Sequence, residues 1–378
     1  MFQNKDKVLK VYIIVLFCLF LPNNVLISLG QSEQNIQSSS TIDLQKLGKI
    51  DIPGSFCGIE VQNNIAYICD HELGIQIYDV QDKNNPKFLG KSNDHGTYHG
   101  FEIDYINNIA YVTCLEEGLV IFNITEKTNP VRIGSYDIGK QRASEVSLSM
   151  DKSIAFVSEF DKGLEIFNIS DPTQPTFISS YSNDGGSFNV QFVNNTLFLE
   201  AGGINLIVLS VDSIQNPTKI GQFNDGGQVR YFYIENNIAF IATWNDGFKI
   251  VNMTDIANPR LLGIHLGGQE AIGVYKNGDY AFIAQFKNGM DVFDVTNLTN
   301  PTLLTTYNDD GGAIAVYSID GYIYVATSGS TLRILKIIDE KTNSIESTKT
   351  NQNINGLEFY FILLLIPLLL LKKKQINK

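Results

Sequence analysis

The sequence predicts an all-β fold, a seven-bladed β-propeller of four-stranded antiparallel blades. Three observations predict it. Residues 247–259 (GFKIVNMTDIANP) are one copy of a formula that recurs at 74–86, 118–130, 163–175 and 289–301, with a worn copy at 205–217 and one lacking its proline at 331–342. The prolines that close the copies, Pro86, Pro130, Pro175, Pro217, Pro259 and Pro301, stand 44, 45, 42, 42 and 42 residues apart. A second mark keeps the same step: NNIAYI from Asn63, NNIAYV from Asn107, KSIAFV from Lys152, NNTLFL from Asn194, NNIAFI from Asn236, GDYAFI from Gly278 and DGYIYV from Asp320. A fixed period in this range denotes a solenoid or a propeller.

Each unit resolves into four strands, as the fifth illustrates. Residues 229–234 are aromatic and β-branched, and Asn236-Asn237 make a tight turn because Asn tolerates positive φ. Residues 238–243 return, 244–247 turn again and 248–253 run out. Pro259 then ends a longer turn, since proline donates nothing to a sheet ladder, and 260–265 form the outermost strand. The seventh copy has no fourth strand after it. Before the first copy, residues 44–52 (LQKLGKIDI) stand alone and resemble the fourth strands KFLGK, VRIGSY and RLLGI. The expectation is that this N-terminal strand completes the last blade, leaving no open edge.

IQIYD at Ile75, LVIFN at Leu119, LEIFN at Leu164, FKIVN at Phe248 and MDVFD at Met290, each shortly before an Asn-Pro or Gln-Pro, resemble the LVIVD repeat. The resemblance covers about residues 44–339 and departs at LIVLS (Leu206) and LRILK (Leu332). It implies an exported or surface propeller and carries over no catalytic residue.

Outside the repeats, residues 1–30 read as a signal peptide: Lys5, Lys7 and Lys10 precede an apolar run at 11–21 that is too short to span a bilayer. Residues 31–41 form a polar, disordered leader, 42–340 the propeller, and 341–356 a linker. Residues 357–371 are a hydrophobic membrane anchor before a basic cytoplasmic tail at 372–378, a stop-transfer pattern. A processed lipid anchor is the alternative. The two apolar runs are expected as short helices outside the fold. With 1–30 at +2 and 357–378 at +3, the −12 net charge leaves −17 on the body, which repels nucleic acid. Cys57, Cys69 and Cys114 follow neither a disulfide framework nor a zinc pattern and are expected as buried free thiols, with a Cys57–Cys69 bridge as the alternative.

Propellers bind ligands at the channel mouth. Aligned on the repeats, one face of the innermost strand reads Gly58/Glu60, Glu102/Asp104, Ser147/Ser149, Asn189/Gln191, Tyr231/Tyr233, Gly273/Tyr275 and Ala315/Tyr317. Glu60, Glu102 and Asp104, with His99, Glu145 and Glu270 at the loop ends, form a candidate ligand or cation site. No cofactor is required, although Asp- and Gly-rich loops suit Ca²⁺. No nucleophile elbow, zinc helix or phosphate loop occurs. The expected function is therefore a non-enzymatic surface binding or adhesion module with a protein or glycan partner. The alternative is a surface hydrolase or lyase using Glu102 and Asp104. Sequons at Asn123, Asn168, Asn194, Asn252 and Asn297 are possible N-glycosylation sites on turns or strand ends.

Overall fold

The proline rhythm of the sequence is the rhythm of the backbone. The computed structural model describes residues 42–338 except 53, 140, 141, 184, 225, 268, 269, 309 and 310. Across them run twenty-eight strands and no helix, grouped into seven four-stranded antiparallel sheets. The expected signal peptide, leader, linker, anchor and tail, with the two terminal helices, lie outside the described residues.

Blade five shows why these residues take this form. Its strands are Val229–Glu235, Ile238–Thr243, Gly247–Asn252 and Arg260–His265. The first hairpin turns on Asn236 and Asn237 at φ 51° and 60°, the pair of positive values a type I′ turn needs. Gly247 opens the third strand at φ 81°, where a Cβ would come 2.4 Å from the Gly267 carbonyl oxygen. That is the physical reason the repeat begins with glycine.

A second glycine holds neighbouring blades together. In the outer strand, a Cβ on Gly263 would come 2.3 Å from the Leu298 carbonyl oxygen in the next blade. Gly90, Gly134 and Gly221 meet the carbonyl oxygens of Thr128, Pro172 and Ile256 in the same way. The Leu-Gly and Ile-Gly pairs of the outer strands thus mark close backbone approach between blades.

The strand Asp43–Asp51 lies antiparallel on Thr331–Ile338, running from Asp43 opposite Ile338 to Asp51 opposite Thr331. Its Gly48 has the outer-strand contact too: the amide donates to the Lys83 carbonyl of blade one at 2.8 Å. The outermost strand of the last sheet is therefore the first strand of the described chain.

The core is not central. It consists of seven apolar clusters, each shared by two adjacent blades. Between blades seven and one, for example, Ile52, Ile59, Val61 and Ile68 pack with Tyr324, Leu332 and Ile334. Packing blade face on blade face leaves the innermost strands free to surround an open axis. Each touches the next, and the last, Ala313–Ile319, touches the first, Phe56–Gln62.

Candidate ligand channel

Strand alternation sends every second residue of the seven inner strands toward the axis. Hairpin pairing fixes which ones. Glu60 lies opposite Tyr67, Glu102 opposite Tyr111, Ser147 opposite Phe156, Gln191 opposite Phe198, Tyr233 opposite Phe240, Tyr275 opposite Phe282 and Tyr317 opposite Tyr324. These seven form one ring. Two residues earlier, Gly58, Gly100, Glu145, Asn189, Tyr231, Gly273 and Ala315 form a second. Both rings line a cavity of about 610 Å³.

Three of the expected residues fall elsewhere, Asp104, Ser149 and Glu270. Asp104 is turned into the hairpin beyond the ring and buried. Its Oδ1 accepts from the Ile106 and Asn107 amides at 3.0 and 3.1 Å, and its Oδ2 from the Asn107 side chain at 2.7 Å. Ser149 likewise caps its own turn, accepting from the Ile154 amide. Blades two and three have longer first hairpins, with one positive-φ residue each before the second strand (Asn108, Lys152) in place of the usual pair. Counting back from the repeat motif therefore stops two residues short. The correction brings Glu145, expected at a loop end, into the ring. Glu270 does not line the cavity; it turns at φ 73° and pairs with Lys287. Cys57, Cys69 and Cys114 are free thiols. Cys57 is only half-buried, because it is the extra residue of a bulge between Phe56 and Gly58 and faces the cavity.

The polar ring residues do structural work. Glu102 Oε2 accepts the Leu148 amide at 2.9 Å, Ser147 Oγ the Phe192 amide at 3.0 Å and Gln191 Oε1 the Ile234 amide at 2.8 Å. The same step links Glu60 to the Ile103 amide and Tyr317 to the Val61 amide. Each of these side chains thus satisfies a backbone N–H of the next blade that no strand reaches. Tyr233, Tyr275 and Tyr317 fill the remaining arc, with ring centroids 5.1 and 4.8 Å apart.

The carboxyls are held in low dielectric. Burial pushes Glu60 up to about 8, against the hydrogen bond from the Tyr105 hydroxyl at 2.7 Å. Burial likewise pushes Glu145 up to about 8, with Glu102 and Glu60 adding to the rise. Gly100 makes room for Glu145: a Cβ there would fall 2.3 Å from its Oε1. Lys152 offsets Glu102 at 2.7 Å from outside the cavity lining. No group of three or more His, Cys, Asp or Glu side chains is disposed to hold a metal ion among the described residues.

At the mouth, His99 lies edge-on between His71 and Phe160, at 5.1 and 5.3 Å. Burial, then His71 and Arg142, hold it down at about 4, so it is neutral at physiological pH. An aromatic belt continues from it. Phe160 meets Phe188 at 4.6 Å, Arg142 stands over Phe160 at 5.0 Å, Arg230 over Trp244 at 4.9 Å, and Trp244 meets Phe286 at 6.4 Å. Sequence reasoning missed this belt. For His71, Phe160, Trp244 and Phe286 the signal is a ring-bearing residue directly after the second strand, where the other blades carry Leu115, Gly202 and Ser328.

Of the sequon residues, Asn123, Asn168, Asn194 and Asn297 are exposed and Asn252 is half-buried. Asn123, Asn168 and Asn252 accept, through Oδ1, the amide two residues on. That turn-capping role explains the recurring Asn-x-Ser/Thr within the repeat.

Seven four-stranded sheets around a lined axial cavity define a seven-bladed β-propeller. Residues 53–94, 105–138, 143–183, 226–266 and 269–309 match the LVIVD repeat model, and the chain belongs to the LVIVD repeat family. The blades outside those matches are the ones containing the departures at Leu206 and Leu332, yet both keep four strands. No curated protein matches the chain. Among solved structures, a chain of a mitotic checkpoint complex superposes with a TM-score of 0.66 at 8% identity, over 82% of this chain and 96% of that one. The computationally designed Ika8 protein gives 0.59 at 10% identity, over 77% and 99%. At such identities the likeness is one of fold alone.

Proposed function

We propose that this protein is an extracytoplasmic, membrane-tethered propeller that acts as a binding or adhesion module, engaging a protein or glycan of the cell surface at its channel mouth. The observation that carries the binding role is the mouth itself: a half-buried belt of His99, Phe160, Phe188 and Trp244 over an open cavity. Aromatic side chains left partly uncovered beside a cavity are what a partner buries at low entropic cost. The polar ring below is largely committed to holding blades together. Export and tethering rest on the sequence pattern of residues 1–30 and 357–378.

Two measurements test the proposal. Protease applied to intact cells is expected to remove propeller epitopes; complete protection counts against an outside location. Capture on glycan and peptide arrays is expected to fall about 10-fold or more in Phe160→Ser and Trp244→Ser. Capture unchanged in both variants refutes the mouth as the site.

A hydrolase or lyase is the second reading. It is favoured by two half-buried carboxyls of the cavity wall, Glu60 and Glu145, lying in the range of a general acid at neutral pH. Glu60 and Glu145 replace Glu102, which is paired with Lys152, and Asp104, which does not line the cavity, in that scheme. An activity that survives Glu60→Gln and Glu145→Gln together removes it.

A further inference from the structure

We propose that the channel is a receptor for an organic ammonium group, a permanently methylated or protonated amine held between the Glu60, Glu102 and Glu145 carboxyls and the tyrosine arc of Tyr233, Tyr275 and Tyr317. The inference deepens the binding reading above and rests on it.

The charge balance of the wall is the first argument. Three carboxyls line the cavity and no lysine or arginine does. The one lining base, His99, is neutral because burial and His71 suppress its protonation. Lys152 pairs with Glu102 from outside the lining, and its charge also reaches Glu60. Arg142 is taken by Asp161 at 3.0 Å, and Arg230 lies over Trp244 at the mouth. Glu60 and Glu145 thus have no cationic partner within the lining, and each can ionise as a cation enters.

The second argument is the opposite wall. Aromatic rings attract a cation through their quadrupoles, and soft alkylammonium ions, weakly hydrated, gain more from this than a hard metal ion does. Carboxyls on one side with tyrosines on the other suit such an ion. The third argument is independent of charge. Asn189, 2% exposed, lines the cavity, and its Nδ2 lies near the Tyr231 hydroxyl without a well-aligned hydrogen bond to it. A buried donor is costly to leave unpaired. An oxygen on the ligand, such as a hydroxyl or carbonyl two carbons from the nitrogen, would meet it. A volume of about 610 Å³ admits a group of this size with room for a stem leading to the mouth.

The test is calorimetric titration of the full detergent-solubilised chain with choline, which stays charged at every pH. Its uncharged isostere 3,3-dimethylbutan-1-ol and calcium chloride are titrated alongside. Choline is expected to bind with a Kd below about 1 mM, the isostere at least about 10-fold more weakly, and Ca²⁺ not to compete. Because Glu60 and Glu145 are largely protonated near pH 7, binding should release protons, read as a heat that changes with the buffer's ionisation enthalpy. Glu145→Gln and Tyr275→Leu should each weaken choline about 10-fold. Equal binding of the isostere, competition by Ca²⁺, or no choline binding at about 10 mM to folded wild-type protein each overturns the proposal, and none depends on a variant folding. If choline fails while array capture still depends on Phe160 and Trp244, only this inference falls. If both fail, the reading beneath it falls too.

Discussion

Replacing Ile52 by Ala tests whether the seam between the first and last blades governs the whole ring. Ile52 is 2% exposed in the cluster of Ile59, Val61, Tyr324 and Leu332, and its amide donates to the Ser330 carbonyl at 2.8 Å. Removing three carbons from such a site costs about 3 kcal/mol, the transfer term plus the cavity left behind. With a urea slope of about 3 kcal/mol per molar, the midpoint should fall by about 1 M. The chain has one tryptophan, Trp244, and it lies in blade five. Its fluorescence reports a region that contacts neither blade seven nor blade one through the seam cluster. If the seam locks the ring, the Trp244 midpoint should shift by the full amount. Leu266→Ala, at a 74% exposed site, should move it by less than about 0.5 kcal/mol. An unmoved Trp244 midpoint, with loss of strand signal in circular dichroism, would show local fraying and refute the reasoning.

Further outcomes follow from the same contacts. Gly48→Val should destabilise by about 2 kcal/mol or more, because the new Cβ would lie 2.5 Å from the Lys83 carbonyl oxygen; thermal melting checks it. Stability should fall as pH rises from about 4.5 to about 8, since Glu60 and Glu145 stay protonated in the folded chain over that window and ionise in the unfolded one. Glu145→Gln should flatten that slope by about 2 kcal/mol, read by urea titrations at pH 5 and pH 8.5. His99 acts in the opposite sense: held at about 4 against 6.5, it lowers stability as pH falls between those values, and His99→Gln should remove that loss. Chelator should leave the melting temperature within about 1 °C, because the described carboxylates do not converge on an ion; a larger drop would restore a structural Ca²⁺.

The fold was legible because a repeat writes its register several times. Asn-Asn at the first hairpin, glycine opening the third strand and proline closing the long turn each require a particular backbone, so each survives as a letter. The site was legible only in part. Glu60, Gln191 and Tyr233 were found by counting from the second strand, since their blades share one hairpin length. Blades two and three do not, and their longer turns exchanged Asp104 for Gly100 and Ser149 for Glu145 in the ring. No residue in the turn announces such a length change; Asn108 simply keeps the last position before the strand. The aromatic belt escaped for another reason. It is assembled mostly from turn residues of different blades, with His99 from a strand, and period alone carries no information about which of seven equivalent turns holds a ring. Gly100 illustrates the limit further, since its smallness matters only for Glu145, which lies 45 residues away in the chain.

The pairing of Asp51 with Thr331 has a consequence for biosynthesis. Those residues are separated by 280 positions, and a side-chain hydrogen bond joins them. At about 5–20 residues per second, the first strand emerges from a ribosome some 15–60 s before its neighbour exists. Through that interval its backbone donors and acceptors are open to any other extended segment. The nascent chain is thus a natural client for holding factors, and its vulnerability to aggregation ends only when nearly all of it has been made.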